Sequence, residues 1–224
     1  MKPPATQPFL YVFPRSVESS ASGKQVLNWS EGVEPFGASL PLEVNPALHE
    51  IFIRPGALTE KECRAARELG ESRGRAAAGL ERGNPAEYRA SAIAWLEPQP
   101  EARWLYHRLG MIFAEANRAY RFELMGFVEA LQYTVYDPGG KFDWHIDLGP
   151  DMTSARKLSV SVQLSPADEY EGGELEFLNA RRGSEALGLG TAIFFPSYMV
   201  HRVTPLTRGR RCSLVAWAYG PRFR

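Results

Sequence analysis

The feature that most constrains how this 224-residue chain can fold is a change of period at about Gly126. From there on the sequence is cut into segments 127–136, 157–164, 174–178, 191–195, 200–204 and 211–219, each short and rich in Val, Phe, Tyr or Leu. Turn residues bound them: Pro138-Gly139-Gly140, Gly172-Gly173, Gly188 and Gly190, and Pro205. Short apolar segments stopped at close intervals by Gly and Pro read as strands of an antiparallel sandwich or barrel.

Upstream the period is helical. Thr59 stands three residues ahead of Glu62 in the form of a capping box, and Cys63, Ala66 and Leu69 follow at helical spacing, which predicts a helix from about Thr59 to Ser72. Leu105, Leu109, Ile112, Phe113 and Ala116 lie on one face of a second helix, from about Glu101 to Tyr120. Helices followed by a run of strands predict an α+β fold, mainly β, with the helices packed on one side. Residues 73–90 are rich in Gly and Arg without a period and read as a loop and candidate lid. Residues 1–50 are rich in Pro, Ser and Gly, with apolar runs at Phe9–Phe13 and Val26–Trp29, and read as an extended arm with one or two strands. The expected organisation is an arm over 1–50 and one domain over 51–224, with helical support at 57–120 and a β core at 126–220.

Composition removes several function classes. Lys+Arg and Asp+Glu both number 26, so the net charge is zero and nothing suggests a nucleic-acid or membrane footprint. No apolar run approaches the roughly 18 residues that span a bilayer. The N-terminus carries prolines and charges where a leader would need an apolar stretch. Cys63 and Cys212 fall outside any Cys-x-x-Cys pattern, so reduced thiols and a cytoplasmic location are the expectation. The oligomeric state is not readable.

The chemistry gathers in the strand-rich half. His145 and Asp147 are two apart, and in a strand such positions share a face. A lone His-x-Asp pair is most often a surface histidine beside a capping aspartate. A third donor, His201, on a later strand changes the reading, because two imidazoles and a carboxylate can occupy one face of an octahedral metal and leave three positions open. Asp143 shares the parity of His145 and is a candidate to support it. Gln132, Thr134 and Tyr136 share one face of their strand. Ser159, Ser161 and Gln163 share another, either as the wall of a polar ligand site or as a solvated surface. Trp217 shares the parity of Arg211, and core packing is the simpler reading for it. His49 and His107 have no partner at ligand spacing.

In order and spacing, the run Leu131–Asp147, Gly172-Gly173-Glu174-Leu175, Gly190–Pro196 and His201–Leu214 resembles the prolyl 4-hydroxylase-like branch of the Fe(II)/2-oxoglutarate dioxygenase superfamily. The likeness covers residues 127–219, extends loosely to the helical part from about residue 50, and does not reach the first 50. It implies a double-stranded β-helix core of the jelly-roll or cupin kind. It implies that His145, Asp147 and His201 ligate Fe(II), and that Arg211, ten residues after His201, pairs with the distal carboxylate of 2-oxoglutarate. A guanidinium suits that pairing because its fork meets a carboxylate with two hydrogen bonds and keeps its charge. Ser213 completes an Arg-x-Ser pattern towards the same carboxylate, and Tyr136 matches a tyrosine that hydrogen-bonds the co-substrate. Ser161 and Gln163 are the further candidates to line that site.

The resemblance further implies that O2 and 2-oxoglutarate are consumed, with ascorbate as an optional reductant, and that an unactivated C–H bond is hydroxylated. Asp at 147, where Gly or Ala would vacate a coordination position for halide, favours hydroxylation over halogenation. Desaturation or epoxidation is the family's other outcome. Two readings compete: a cupin-like metal dioxygenase that does not use 2-oxoglutarate, which leaves Arg211 and Ser213 without a role, and a non-catalytic binding domain of the same fold. The substrate class stays open between a peptidyl residue such as proline and a free amino acid or other small metabolite. Loop 73–90, Ser91–Leu96, residues 148–156 and the arm are expected to form the rim. Arg73, Arg75 and Arg89 there hint at a carboxylate-bearing substrate.

Overall fold

The computed structural model describes residues 15–28, 31, 45–74, 76–77, 88–180 and 188–221. The apolar run Phe9–Phe13, and Arg75 and residues 78–87 of the expected loop, lie outside them. The chain separates into two compact units, Met1–Val44 and Asn45–Arg224. In the first, β1 (Ser16–Ser19) and β2 (Gln25–Asn28) form an antiparallel hairpin with Ser16 opposite Asn28.

The second unit opens with β3 (Phe52–Arg54), α1 (Glu60–Glu71), β4 (Ala76–Ala77), β5 (Arg89–Ala90), β6 (Ala92–Leu96) and α2 (Arg103–Tyr120). There follow β7 (Leu131–Tyr136), β8 (Lys141–His145), β9 (Arg156–Gln163), β10 (Tyr170–Gly172) and β11 (Leu175–Phe177). The chain ends with β12 (Ala192–Pro196), β13 (His201–Val203), β14 (Leu206–Gly209) and β15 (Arg211–Tyr219). A seven-stranded sheet runs β3-β12-β9-β15-β7-β6-β4 and a four-stranded one β11-β13-β8-β5, while β10 pairs with β14. Among the described residues every pairing is antiparallel.

Alternation along the central strands of the large sheet divides the molecule. Tyr133 and Val135, Leu158, Val160 and Val162, and Cys212, Leu214 and Ala216 face one way, into a core completed by Cys63 and Ala66 of α1 and by Leu105, Leu109, Ile112 and Phe113 of α2. Thr134, Ser161, Ser213 and Val215, which alternate with them, face a cavity between the two sheets. A second apolar cluster, including Leu175, Phe177, Ile193, Phe195 and Val203, joins β11 and β13 of the small sheet to β12 of the large one.

Local chemistry sets the helix ends. The Thr59 hydroxyl accepts from the Glu62 amide at 3.2 Å while the Glu62 carboxylate accepts from the Thr59 amide at 2.7 Å, the reciprocal box expected from the sequence. Helix α2 stops at Arg121, which turns to φ 57, and the Asn117 side chain holds both the amide (2.9 Å) and carbonyl (2.8 Å) of Phe122. Both helices lie within two residues of their expected bounds. The expected loop 73–90 needs correction, since β4 and β5 fall inside it. Two-residue strands show no periodicity; their extended form is imposed by β6 and β8, with which they pair.

Helix α1 meets the sheet at its one buried glycine. A Cβ at Gly70 would sit inside van der Waals distance of the Tyr133 ring, which is fully buried and anchored by its hydroxyl to Glu71 at 2.8 Å. On an exposed helix, Gly→Ala stabilises by up to about 1 kcal/mol. Here the ring has nowhere to go, so Gly70→Ala should destabilise by about 1–3 kcal/mol, as overpacking does. Urea denaturation followed by far-UV circular dichroism measures it, and a stabilised variant would refute this packing.

Candidate functional site

The small sheet places two histidines face to face. His145, the last residue of β8, is the Cα partner of His201, the first residue of β13, while Phe142 partners Val203. Three residues of β8 therefore span two of β13, a β-bulge. The bulge turns Phe142 to the side of His145, and the two rings stack with centroids 3.5 Å apart and planes 15° apart. It also overturns the simple parity that gave Asp143 a side-chain role. The Asp143 carboxylate is exposed and accepts from the Trp144 amide at 2.7 Å; its backbone carbonyl is what contacts His145.

Backbone contacts orient both rings. Nδ1 of His145 lies 2.7 Å from the Asp143 carbonyl and Nδ1 of His201 lies 2.9 Å from the Met199 carbonyl. A carbonyl only accepts, so both Nδ1 atoms carry a proton, and Nε2 of each ring is turned towards Asp147. Asp147, two residues past the end of β8, completes the group: its Oδ1 is 3.8 Å from each Nε2. The donor atoms of the three residues all lie within 4.8 Å of one another.

Asp147 is held on several sides. Its Oδ2 accepts from the Ser159 hydroxyl at 2.6 Å, which leaves Oδ1 towards the histidines. Its amide donates to the Ser197 carbonyl at 2.9 Å, and its carbonyl accepts from Arg156 at 2.9 Å. Arg156 is itself clamped by both Glu129 oxygens (2.7 and 2.5 Å) and lies over the Trp217 ring, 3.9 Å from its centroid. Burial by itself would raise the Asp147 pKa, but the two histidines, the Ser159 hydroxyl and Arg156 together hold it below the usual range. Burial, with the neighbouring His201 as a lesser cause, pulls the His145 pKa down to about 4. The site is thus built from a neutral His145 imidazole and a charged carboxylate, a donor set that fits a divalent metal of borderline character.

The triad lies on a cavity of about 580 Å³. Arg211, Ser213, Val215 and Trp217 of β15 and Gln132, Thr134 and Tyr136 of β7 form one wall. Arg211 is buried, 4% exposed, yet its guanidinium has no hydrogen bond or carboxylate partner among the described residues; it faces the Tyr136 ring at 5.6 Å. An unpaired buried cation is costly unless a counter-charge reaches it. Burial raises the Tyr136 pKa, opposed by Arg89 and Arg211, so its hydroxyl keeps its proton and can donate.

The structure brings His145, Asp147, His201, Arg211, Ser213, Tyr136 and Ser161 to this one cavity. Gln163 is not on it: its amide donates to the Ser165 carbonyl (3.1 Å) and the Tyr170 hydroxyl (2.6 Å). Ser159, Ser161 and Gln163 are buried, so the solvated-surface reading of that row fails. His49 and His107 are exposed. Arg73 pairs with Glu101. Sequence reasoning missed the Arg156–Glu129 clamp, whose members are 27 residues apart without any local pattern, and the bulge that recruits Phe142.

Comparison with known proteins places this geometry. Residues 131–219 match the model of the 2OG-Fe(II) oxygenase superfamily. A PKHD-type hydroxylase of Teredinibacter turnerae is 38% identical over 93 residues, covering 38% of this chain and 41% of that one. Another, of Rhizorhabdus wittichii, is 34% identical over 92 residues, covering 38% and 40%. The chain thus spans about two fifths of the length of these relatives. In structure, it superimposes on a Pseudomonas putida prolyl-4-hydroxylase with a TM-score of 0.63 at 20% identity, covering 78% of this chain and 95% of that one. A Trichoplax adhaerens prolyl hydroxylase in complex with a hypoxia-inducible factor peptide fragment gives 0.62 at 18%, covering 76% and 84%. Residues 131–219 are thus similar to the 2OG-Fe(II) oxygenase superfamily, and the likeness to the solved structures shows the double-stranded β-helix fold. Fe(II), 2-oxoglutarate and O2 are the cofactors of that superfamily. Among the described residues no helix is long and apolar enough to cross a membrane.

The triad makes the metal-free protein acid-sensitive. The His145 pKa is lower folded than the ordinary 6.5, so its contribution is fully present above 6.5 and is lost as pH falls towards 4, where the unfolded chain takes the proton and the folded one does not. Asp147, also lowered, acts in the same direction below its ordinary 3.8. One such proton gives a slope of up to about 1.4 kcal/mol per pH unit. Denaturation midpoints of the metal-free protein at pH 7, 6 and 5 should fall steadily, and His145→Gln should flatten the trend; a flat wild-type profile would contradict this reading of the site.

Proposed function

We propose that the protein is an Fe(II)- and 2-oxoglutarate-dependent hydroxylase, with His145, Asp147 and His201 as iron ligands and Arg211 as the anchor of the 2-oxoglutarate distal carboxylate. The observation that carries the reading is the bare guanidinium of Arg211 on the same cavity as the triad. A metal dioxygenase that does not use a 2-oxo acid has no occupant for that cation, and a mere binding domain has no reason for three converging metal donors.

Each residue then has a task. The Asp143 and Met199 carbonyls hold the two imidazoles with Nε2 forward, and Ser159 holds Asp147 with Oδ1 forward. Arg211 would bind a carboxylate with two charge-assisted hydrogen bonds, with the Ser213 and Tyr136 hydroxyls beside it. Phe142, stacked on His145, and Phe195, 4.6 Å from His201, screen the ligands from water. Bound iron and 2-oxoglutarate would supply the oxidising power that breaks an unactivated C–H bond, with succinate as co-product. The substrate is a small molecule or a peptide, as the peptide-bound Trichoplax neighbour illustrates for its own case. The buried, unbridged Cys63 and Cys212 support a reducing compartment.

Two experiments test the assignment. Succinate formation by the Fe(II)-loaded protein with 2-oxoglutarate should fall at least about 100-fold in Asp147→Ala, whose loss leaves a dipositive ion on two neutral ligands; equal turnover would refute the iron site. Mn(II) titration of the same variant, followed by electron paramagnetic resonance, separates lost binding from lost folding. Arg211→Lys replaces a two-point contact by one, a loss of about 1.5–3 kcal/mol. The dissociation constant for 2-oxoglutarate should therefore rise about 10- to 100-fold, and an unchanged constant would place the co-substrate elsewhere.

A further inference from the structure

The cavity holds a second cation that the proposed co-substrate does not use. Arg89, Ser91, Ile93 and Trp95 alternate along one line of chain through β5 and β6, and Arg89, Ile93 and Trp95 line the cavity. Arg89 sits opposite Phe142 in the small sheet and its guanidinium lies over the Phe142 ring, 4.4 Å from the centroid. Since Phe142 in turn stacks on His145, Arg89 is two ring layers from a metal donor. Its one hydrogen bond goes to the Ser91 hydroxyl at 3.0 Å, and it has no carboxylate partner among the described residues. Burial lowers its pKa, which reflects how poorly its charge is solvated there.

The charges around it close without it. Glu129 is matched by Arg156. In the reading proposed above, Asp147 and one carboxylate of 2-oxoglutarate neutralise the iron, and Arg211 neutralises the other. Asp151, the remaining acidic residue on the lining, is exposed at the mouth. Arg89 is left as one positive charge in a cavity of low dielectric. The same cavity has an apolar part, and some of its large side chains stand open: Trp95 and Ile146 are each 42% exposed and Met152 61%.

We propose that the substrate is an anion with an apolar body, its carboxylate seated on Arg89 and its apolar part against Ile93, Trp95 and Met152. The proposal rests on the hydroxylase reading for the charge balance, and on the position of Arg89 alone for the anion site. A carboxylate here can come from a free small acid or from an acidic side chain of a peptide.

The test uses protein saturated with Mn(II) and 2-oxoglutarate, so that Arg211 is already occupied and no turnover occurs. Hexanoate, 3-phenylpropanoate and N-acetyl-leucine are each titrated beside their uncharged amides. A blocked peptide with one internal Asp is titrated beside its Asn counterpart. Binding is followed by calorimetry and by the shift in melting temperature. Acids should bind at least about 10-fold more tightly than the matching amides, as expected for one charge-assisted contact. Arg89→Gln should collapse that ratio to about one, and Arg89→Lys should keep part of it, with far-UV circular dichroism confirming that each variant folds. Tighter binding of the free acids than of the Asp peptide assigns a small-molecule carboxylate, and the reverse assigns an acidic peptide. Equal binding of acids and amides, a ratio that survives Arg89→Gln, or failure of every acid to bind overturns the proposal. Succinate formation by the Fe(II) form is read separately. If the anion preference stands and no succinate ever forms, the hydroxylase reading falls and the Arg89 site remains; if neutral compounds alone stimulate succinate, the converse holds.

Discussion

The structure depends on the pairing of β8 with β13. It sets His145 against His201, and its bulge decides what surrounds them. A regular ladder would carry Phe142 to the opposite face from His145, since side chains alternate with a period of two. The additional residue brings Phe142 back, and its ring both covers the imidazole and carries the Arg89 guanidinium. One local irregularity thus links a metal donor, an aromatic screen and a cation. Asp147 follows just after the strand ends, where the chain is free of the ladder, and its amide, carbonyl and carboxylate are tied instead to Ser197, Arg156 and Ser159.

The large sheet supplies the other half by being two-faced. The row Cys212, Leu214, Ala216 joins the helix-covered core, while Arg211, Ser213, Val215 and Trp217 face the cavity. Because the strands are antiparallel and in register, Ser213 stands beside Thr134 and Gln163, and Arg211 beside Tyr136. Polar side chains therefore collect on the inner face of the sheet, where an ordinary sandwich would place its second apolar layer. That second layer survives on the β12 side, where Ile193 and Phe195 meet Leu175, Phe177 and Val203.

Much of this was legible because it is local. The Thr59–Glu62 box, the apolar stripe of α2 and the period-two strands β7, β9 and β15 each declare themselves within a dozen residues, and the His145, Asp147, His201 and Arg211 spacing is carried by single strands and their turns. What stayed hidden depends on contacts across the fold. Gln163 has the parity of the cavity wall, yet Ser165 and Tyr170 capture its amide. Parity predicts a side for a residue and cannot say which neighbour it will meet. Asp143 was misplaced by the bulge, which no composition near residues 142–145 announces. Arg89 looked like one of several loop arginines, and only the pairing of β5 with β8 distinguishes it from Arg73, which Glu101 neutralises.

The polar inner face also sets a thermodynamic condition on the protein. The Arg211 guanidinium has no hydrogen bond or carboxylate partner among the described residues, a cost that an apolar replacement of similar size would remove. A ligand that met the guanidinium would repay that cost, and stability would then be linked to occupancy: anything that binds the folded chain and not the unfolded one adds RT ln(1 + [L]/Kd). The link is strongest where charge is least compensated, at the metal donors, at Arg211 and at Arg89. Metal and co-substrate together would satisfy the first two. On the reading proposed above, Arg89 alone would still lack a counter-charge after both had bound, so the last increment of stabilisation would come from a third ligand, and the positive charge of Arg89 would make that ligand an anion.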